Sequence, residues 1–495
     1  MKNSLMVKTG GVYLGLSMVS NFINLLLTPI YTNNLTLVEY GSYSIITSYQ
    51  SLFSIFIALG IFSGMKRFFN EYDDKNRLKN IALTFSFIWG AVIYALSLIF
   101  AGRLASVMFA AEAHGVEYIG YIVISTLLLC IISIYTAYYS MQYKALKASL
   151  IEIAKLGLTL AFALLFVVAK DGGIIGILKS QCLSYIIVLS ILFLADYRHI
   201  RIEWGKGELK DMLSYGIGMA GASDFLEWLL TLVDRYFLKA IMGYATVAVY
   251  SIGYKVGMLI MPFLVTPFIN ALIPYKYSVY KDKDGKRKLE ELFDLYNIVG
   301  WFAVLGISIY ANITIKILAT DDYSQAFMIV PFIVMAYLLD GSCEFYSLGI
   351  HIEKKVFLNL AIPGVATLLN IMLNLALIPR IGAYGAAIST LISYFAMTIM
   401  YYFGGRVYYR MEIGVGRFFK AGIPFFAVYT LYLFFEFHRM DMLLEFFYNL
   451  MLVTLYLFIS FAFGFVPKSY TVILSSIIKD KLGKREAVED EDRSL

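Results

Sequence analysis

Residues 170–185 read KDGGIIGILKSQCLSY, and residues 379–394 read PRIGAYGAAISTLISY. At an offset of 209 positions Gly173 aligns with Gly382, Gly176 with Gly385, Ser184 with Ser393 and Tyr185 with Tyr394. Tyr43-Ser44-Ile45 returns as Tyr250-Ser251-Ile252 at an offset of 207. Two offsets that agree mark an internal duplication. If six apolar helices separate the copies, an even number, both copies enter a membrane in the same sense. The duplication is then a parallel repeat about an axis along the membrane normal, and a substrate site is expected between its halves near the midplane.

The rest of the chain demands that membrane. Of its 495 residues 60% are apolar and only 15% charged, against about 45–50% and about 25% in a soluble domain. So much apolar surface cannot be hidden from water. The 16% aromatic content, with 39 Tyr and 38 Phe, fits many interfacial anchors. Apolar segments lie at about 10–33, 43–68, 80–102, 115–140, 147–169, 174–195, 211–238, 244–275, 291–317, 325–350, 356–378, 384–405, 417–437 and 442–466. Their lengths suit helices and not barrel strands. The expected fold is an all-α integral membrane protein of about fourteen spans, in two parallel pseudo-symmetric halves around a central cleft. Expected boundaries are 1–205 for helices 1–6, 206–410 for helices 7–12, 411–466 for helices 13–14 and 467–495 for a cytoplasmic tail. The start, MKNSLMVKTGG, leads into the first span without a small-residue cleavage site, so that helix is expected to be retained.

Loop charge tests the span count. With the first residue inside, about 32 of the 41 Lys and Arg fall on inside loops and seven outside. The inside set includes Lys2, Arg67, Lys144, Arg201, the six cations of KYSVYKDKDGKRK from Lys276 to Lys288, and the basic residues of 406–420. The bias alternates loop by loop, and one helix more or fewer would scramble it. Both termini are thereby placed in the cytoplasm. The net charge of +6 is a topology signal and points to no nucleic-acid partner. Cys130, Cys182 and Cys343 sit in apolar runs and have neither disulfide nor metal spacing.

Charge left inside the spans is where mechanism is sought. In helix 1, Ser17, Asn21, Asn24 and Thr28 fall on one face. Adding 207 lands on Asp224, Trp228, Thr231 and Arg235 of helix 7, with Glu227 and Asp234 alongside. Equivalent helices thus carry polar stripes on equivalent faces, either lining a central cleft or joining helices through polar contacts. An acid near the bilayer centre costs at least about 2.5 kcal/mol, which favours a cavity role for Asp224 and Glu227. Lys255, about ten residues into helix 8, either meets an anionic substrate or pairs with a helix 7 acid. Lys179 is close enough to the outer end of helix 6 to snorkel. Asp234-Arg235 is read as a structural pair or a ligand contact. Asp340 and Glu344 are one turn apart in helix 10, with His351 on nearly the same face, as in a proton or ion relay.

Several classes are excluded by what is missing. There is no G-x-x-x-x-G-K-[ST], no H-E-x-x-H, no C-x-x-C and no G-x-S-x-G. Asp282-Lys283-Asp284 spells D-x-D but stands alone in a basic loop. With no catalytic constellation, no metal site and no cofactor motif, translocation is the expected function and enzyme activity is not.

LLLTPIYTNNLTLVEYGSYSII (25–46), ALGIFSGMKRFF (58–69), VDRYFLKAIMGYATVAVYSIGYKVG (233–257) and LLNIMLNLALIPRIGAYGAAISTLISY (368–394) resemble the signatures of bacterial polysaccharide-biosynthesis flippases. These belong to the multidrug/oligosaccharidyl-lipid/polysaccharide exporter superfamily. The resemblance implies alternating-access transfer of a polyprenyl-pyrophosphate-linked oligosaccharide, for O-antigen (lipopolysaccharide) or capsule, across the bacterial cytoplasmic membrane. It further implies coupling to a proton or sodium ion and partnership with a polysaccharide polymerase or transferase complex. On that reading Lys255, Arg235, Trp228, Asn21, Asn24 and Lys179 line the substrate path, and Asp224, Glu227 and Glu344 serve ion coupling. In one departure, Ala248 stands two before Tyr250 where Gly41 stands two before Tyr43. The family also commonly holds more cavity cations than these spans do. A drug or cation antiporter, a lipid-linked peptidoglycan-precursor flippase and a non-transporting membrane scaffold stay open as alternatives.

Overall fold

The computed structural model describes residues 2–109, 114–435 and 437–465. The expected tail, 467–495, lies outside the described residues. Nine of the described helices are long and apolar enough to cross a membrane, eleven if two bent pairs each count as one span. In chain order we label α1 Lys2–Asn34, and α2 Leu37–Ala58 with its bent continuation Ile61–Phe68. Then follow α3 Lys75–Ile99, α4 Gly115–Met141, α5 Ala145–Ala169, α6 Gly173–Asp196, α7 Lys206–Met242, α8 Tyr244–Val279 and α9 Gly285–Ile309. The bent pair Asp321–Met328 and Val330–Tyr346 forms α10. The run Val356–Tyr408 holds two spans, α11 and α12, meeting at a kink at Ile381 and Gly382. Val415–Phe434 is α13 and Met442–Ala462 is α14. The fourteen segments read from the sequence each have a counterpart among these helices.

Local chemistry explains the breaks. The α2 start is a capping box in which the Thr36 side chain accepts from the Glu39 N–H and Glu39 returns a bond to the Thr36 N–H. Leu59 and Gly60, at φ of 45° and 64°, then bend the span by 51°, where the sequence suggests one straight helix. Asp74 caps α3, its carboxylate accepting from the Arg77 N–H at 2.9 Å. Gly382, at φ 56° and ψ −133°, adopts a conformation that L side chains avoid. It joins α11 to α12 without a loop.

The duplication is visible in the backbone. Gly173 opens α6 at φ 53° and Gly382 opens α12 at φ 56°. A Cβ on Gly176 would lie 2.8 Å from the Phe166 carbonyl oxygen, and one on Gly385 2.6 Å from the Leu377 carbonyl carbon, each on the preceding helix. Ser184 and Ser393 are both fully buried. The packing repeats too. α1 lies on α5, α2 and α3 on α4, and α4 on α6. In the same way α7 lies on α11 (Thr367 Oγ1 to the Leu226 carbonyl), α8 and α9 on α10, and α10 on α12 (Tyr337 against Tyr394).

α2 and α8 join the two sets at close range: a Cβ on Gly41 would fall 2.0 Å from the Tyr244 carbonyl oxygen. α13 packs on α9, where the Trp301 indole N–H donates to the Phe418 carbonyl at 2.9 Å. α14 is held by Glu445, fully buried, which accepts from Asn312 Nδ2 at 2.8 Å and from the Tyr432 hydroxyl at 3.0 Å and lies 3.5 Å from Lys316. Within the first set, fully buried Lys79 pairs with Asp196 and lies 5.0 Å from the Tyr138 ring centroid. Removing one member of such a buried pair typically costs about 3–5 kcal/mol. The outer surface is apolar, with Phe22, Ile99, Leu194, Phe403 and Phe458 exposed, as a lipid-facing surface requires.

Candidate functional site

α7 carries most of the polar groups. Its first turns unwind into a π-helical turn at Gly216–Gly221, a feature common at functional sites. Beyond it Asp224, Glu227, Trp228 and Thr231 line a cavity of about 250 Å³ together with Ser51 and Ser54 of α2. This space therefore lies between the two sets of helices. Glu227 also lines a larger cavity of about 450 Å³, which it shares with Asp340, Glu344, His351, Tyr394 and Tyr401. The helix 7 acids and the Asp340, Glu344 and His351 side chains, separate in the sequence, thus meet through Glu227.

The acids of the larger cavity differ in how they are compensated. Glu344 Oε2 receives Lys276 Nζ at 2.7 Å, and the same ammonium donates to the Glu344 carbonyl at 2.9 Å. Lys276 is 1% exposed. Sequence reading places it with the basic loop that follows, but it lies inside α8. Four residues, Tyr277 to Tyr280, separate it from the next cation, Lys281. Glu227 and Asp340 have no cationic partner within ion-pair distance among the described residues. The cavity, lined also by Tyr337, Tyr394 and Tyr401, therefore offers two carboxyl groups without an ion-pair partner to a cation.

Lys255 sits elsewhere. It lies eleven residues into α8, about 16 Å along the helix from Tyr244. Its Nζ donates to Thr28 Oγ1 at 2.5 Å, bringing α8 against the polar stripe of α1. No helix 7 acid pairs with it. Asn21 and Asn24 of that stripe are exposed, while the Ser17 side chain lies outside the described residues. Lys179 is exposed on α6.

Arg235 and Trp228 are tied into the fold. Arg235 NH1 donates to the Thr231 carbonyl at 3.0 Å, and its guanidinium carbon lies 4.8 Å from the Tyr254 ring centroid. Asp234, 1% exposed, accepts from the Tyr250 hydroxyl, and its other oxygen is 3.9 Å from Arg235. The Trp228 indole N–H donates to the Ser48 carbonyl at 3.0 Å, and its ring stacks on Phe225. Three groupings result: Asp224, Glu227 and Trp228 at the α2–α7 cavity, Glu227 and Glu344 at the acid-lined cavity, and Lys255 with Thr28 at the α1–α8 contact. Among the described residues no three His, Cys, Asp or Glu side chains cluster as metal ligands.

Comparison with known proteins agrees with this architecture. The chain is 22% identical over 417 residues to an uncharacterized membrane protein of Methanocaldococcus jannaschii, covering 76% of this chain and 78% of that one. Among solved structures it is similar to the lipid II flippase MurJ in an inward closed conformation, with a TM-score of 0.69 at 12% identity, covering 91% of this chain and 98% of that one. It is also similar to an inward-facing multidrug resistance transporter, with a TM-score of 0.62 at 18% identity over 80% and 97% of the two chains. A transporter of the same superfamily from Pyrococcus furiosus, whose binding pocket is described as reversed in polarity, gives 0.57 at 17% identity over 82% and 94%. The family model described as polysaccharide biosynthesis protein matches residues 35–328. With that match spanning more than half of its length, the chain belongs to the polysaccharide biosynthesis protein family and carries the fold of the multidrug/oligosaccharidyl-lipid/polysaccharide exporter superfamily.

Proposed function

We propose that the protein is a flippase. It moves a polyprenyl-pyrophosphate-linked oligosaccharide across a bacterial cytoplasmic membrane by alternating access, driven by a proton or sodium ion. Membership of a polysaccharide biosynthesis family supports the substrate class. The observation that carries the reading is Lys255, an ammonium between α1 and α8 whose bond is to a neutral hydroxyl and not to a carboxylate, which leaves its charge for an anionic head group. A sugar–pyrophosphate head cannot cross hydrocarbon unaided, because unsatisfied polar groups there cost several kcal/mol each. A polar path along Asn21, Asn24 and Lys255 lowers that barrier, while the polyprenyl tail stays in lipid. The driving ion binds at Glu227 and Asp340, with Glu344 and Lys276 as a paired neighbour.

In this reading residues 1–205 and 206–410 are the two moving halves. Residues 411–466 travel with the second, and both termini face the cytoplasm, where the basic loops would satisfy the positive-inside bias. A polymerase or transferase complex is the expected partner for the product. One second reading has an observation in its favour: uncompensated Glu227 and Asp340 suit an organic cation, as in a drug antiporter.

Surface polysaccharide and membrane protein level, measured together for Lys255→Ala and Lys255→Arg, test the proposal. Lys255→Ala is expected to lower surface polysaccharide at least tenfold at unchanged protein level, and Lys255→Arg to restore much of it. Unchanged polysaccharide with Lys255→Ala overturns the substrate role.

A further inference from the structure

Sharing no lining residue with the α7 cavities, α3 and the end of α6 enclose a groove of about 600 Å³. Its walls are graded in polarity. Leu83, Thr84, Phe87 and Ile88 of α3 line it with Phe193 and Leu194 of α6; Thr84, the polar member, accepts from the Glu203 N–H at 3.3 Å. Toward the loop end the wall continues as Tyr197, Ile200 and Arg201. Ile202, 92% exposed, lines the same end, and exposed Arg198 and Trp204 neighbour these residues in sequence. This ordering of apolar trough, interfacial aromatic and cation is the ordering of a phospholipid from acyl chain to phosphate.

Charge in this segment points the same way. Its acids are committed inward: Asp196 takes Lys79 and lies 3.4 Å from His199, and Glu203 accepts from Asn80 Nδ2 at 3.4 Å. Its two arginines are committed to no acid. Arg198 Nε donates to the neighbouring Tyr197 hydroxyl at 2.8 Å, and Arg201 has no carboxylate within ion-pair distance among the described residues. Two exposed guanidiniums stand at the polar end of an apolar trough.

We infer that the α3–α6 groove is a binding site for an anionic phospholipid of the bilayer, its acyl chain against Phe87, Ile88 and Leu194 and its phosphate on Arg198 and Arg201. Guanidinium groups suit phosphate through paired N–H donors. Under the orientation proposed above the lipid belongs to the cytoplasmic leaflet. The groove takes no part in the α7 cavities, so the occupant is a resident lipid and not the transported one.

Lipid binding to the purified full chain, measured by native mass spectrometry with added phosphatidylglycerol or phosphatidylcholine, tests this directly and does not depend on transport. Phosphatidylglycerol is expected to bind the unaltered chain about tenfold better than phosphatidylcholine. The double variant Arg198→Gln/Arg201→Gln should lose that preference, and Leu194→Trp, which fills the trough, should weaken both lipids. These side chains are exposed, so the variants should fold; retained binding of phosphatidylcholine by the arginine variant confirms that it has. Equal binding of the two lipids by the unaltered chain overturns the inference, as does a preference that survives loss of both arginines. Displacement of phosphatidylglycerol by a lower concentration of polyprenyl phosphate also overturns it, because the groove would then belong to the substrate.

Discussion

At the scale of residues, the membrane interior holds a few charges whose roles follow from what compensates them. Lys276 and Glu344 satisfy each other, so removing one partner should cost more than neutralising the other. Lys276→Met is expected to lower stability by about 3–5 kcal/mol, since it leaves a carboxylate without its ion-pair partner. Glu344→Gln keeps an acceptor for the ammonium and should cost less. Thermal unfolding of the two purified variants checks the order, and equal shifts would contradict it. Outside the membrane, Tyr72 donates to Asp211 Oδ2 at 2.5 Å. That bond to a carboxylate holds the phenol up to about 12, above its usual value near 10. Because the folded-state value is raised, the contact contributes fully below about pH 10 and is lost as pH rises through about 12. Tyr72→Phe should therefore change stability at neutral pH, with the difference from the unaltered chain shrinking above pH 12.

The element scale shows what was legible in the sequence and what was not. The glycines of 170–185 and 379–394 announced a repeat because each has a physical task, the positive φ of Gly173 and Gly382 and the close approaches of Gly176 and Gly385. The helical segments were legible because charged residues and Gly or Pro punctuation separate the apolar runs, and each run has a helical counterpart. Lys276 was hidden because it adjoins a basic loop, and composition cannot tell a solvated lysine from a buried one. Glu445 was hidden for a related reason: its partners Asn312 and Tyr432 lie on other helices and meet it only through tertiary packing. The meeting of Glu227 with Asp340 in one cavity likewise depends on how α7 and α10 face each other. Two substitutions test the helix joints. Gly382→Ala should cost about 1–3 kcal/mol through its backbone conformation. Gly41→Ala should force α2 from α8, because the Tyr244 carbonyl oxygen occupies the place of the new Cβ. Unfolding midpoints and transport should both fall for Gly41→Ala; an unchanged variant would mean that the α2–α8 contact is dispensable.

At the scale of the molecule, the two sets of helices meet near both ends of the bundle. At the end away from the basic loops, Thr32 Oγ1 donates to the Leu318 carbonyl at 2.7 Å, Tyr40 meets Tyr323 with ring centroids 5.7 Å apart, and Lys239 donates to the Met108 carbonyl at 2.6 Å. At the basic end the start of α7 is held by Arg77–Glu208 at 2.9 Å and by close backbone approach of Gly60 to Gly216. Alternating access requires the first group of contacts to open. A Tyr40→Cys/Tyr323→Cys pair should therefore stop transport when oxidised and recover on reduction. The native thiols Cys130, Cys182 and Cys343 are all buried, which favours selective oxidation of the introduced pair. Activity that persists in the oxidised form would place the moving joint elsewhere.

The central claim is that this chain carries a polyprenyl-pyrophosphate-linked oligosaccharide across the bilayer. It is tested most directly with the purified protein in vesicles holding a fluorescent substrate of that class in one leaflet, with a proton or sodium gradient imposed. The account predicts gradient-dependent transfer to the other leaflet that Lys255→Ala abolishes while the protein stays folded. Transfer no faster than in protein-free vesicles, under either gradient and in either orientation, would contradict it.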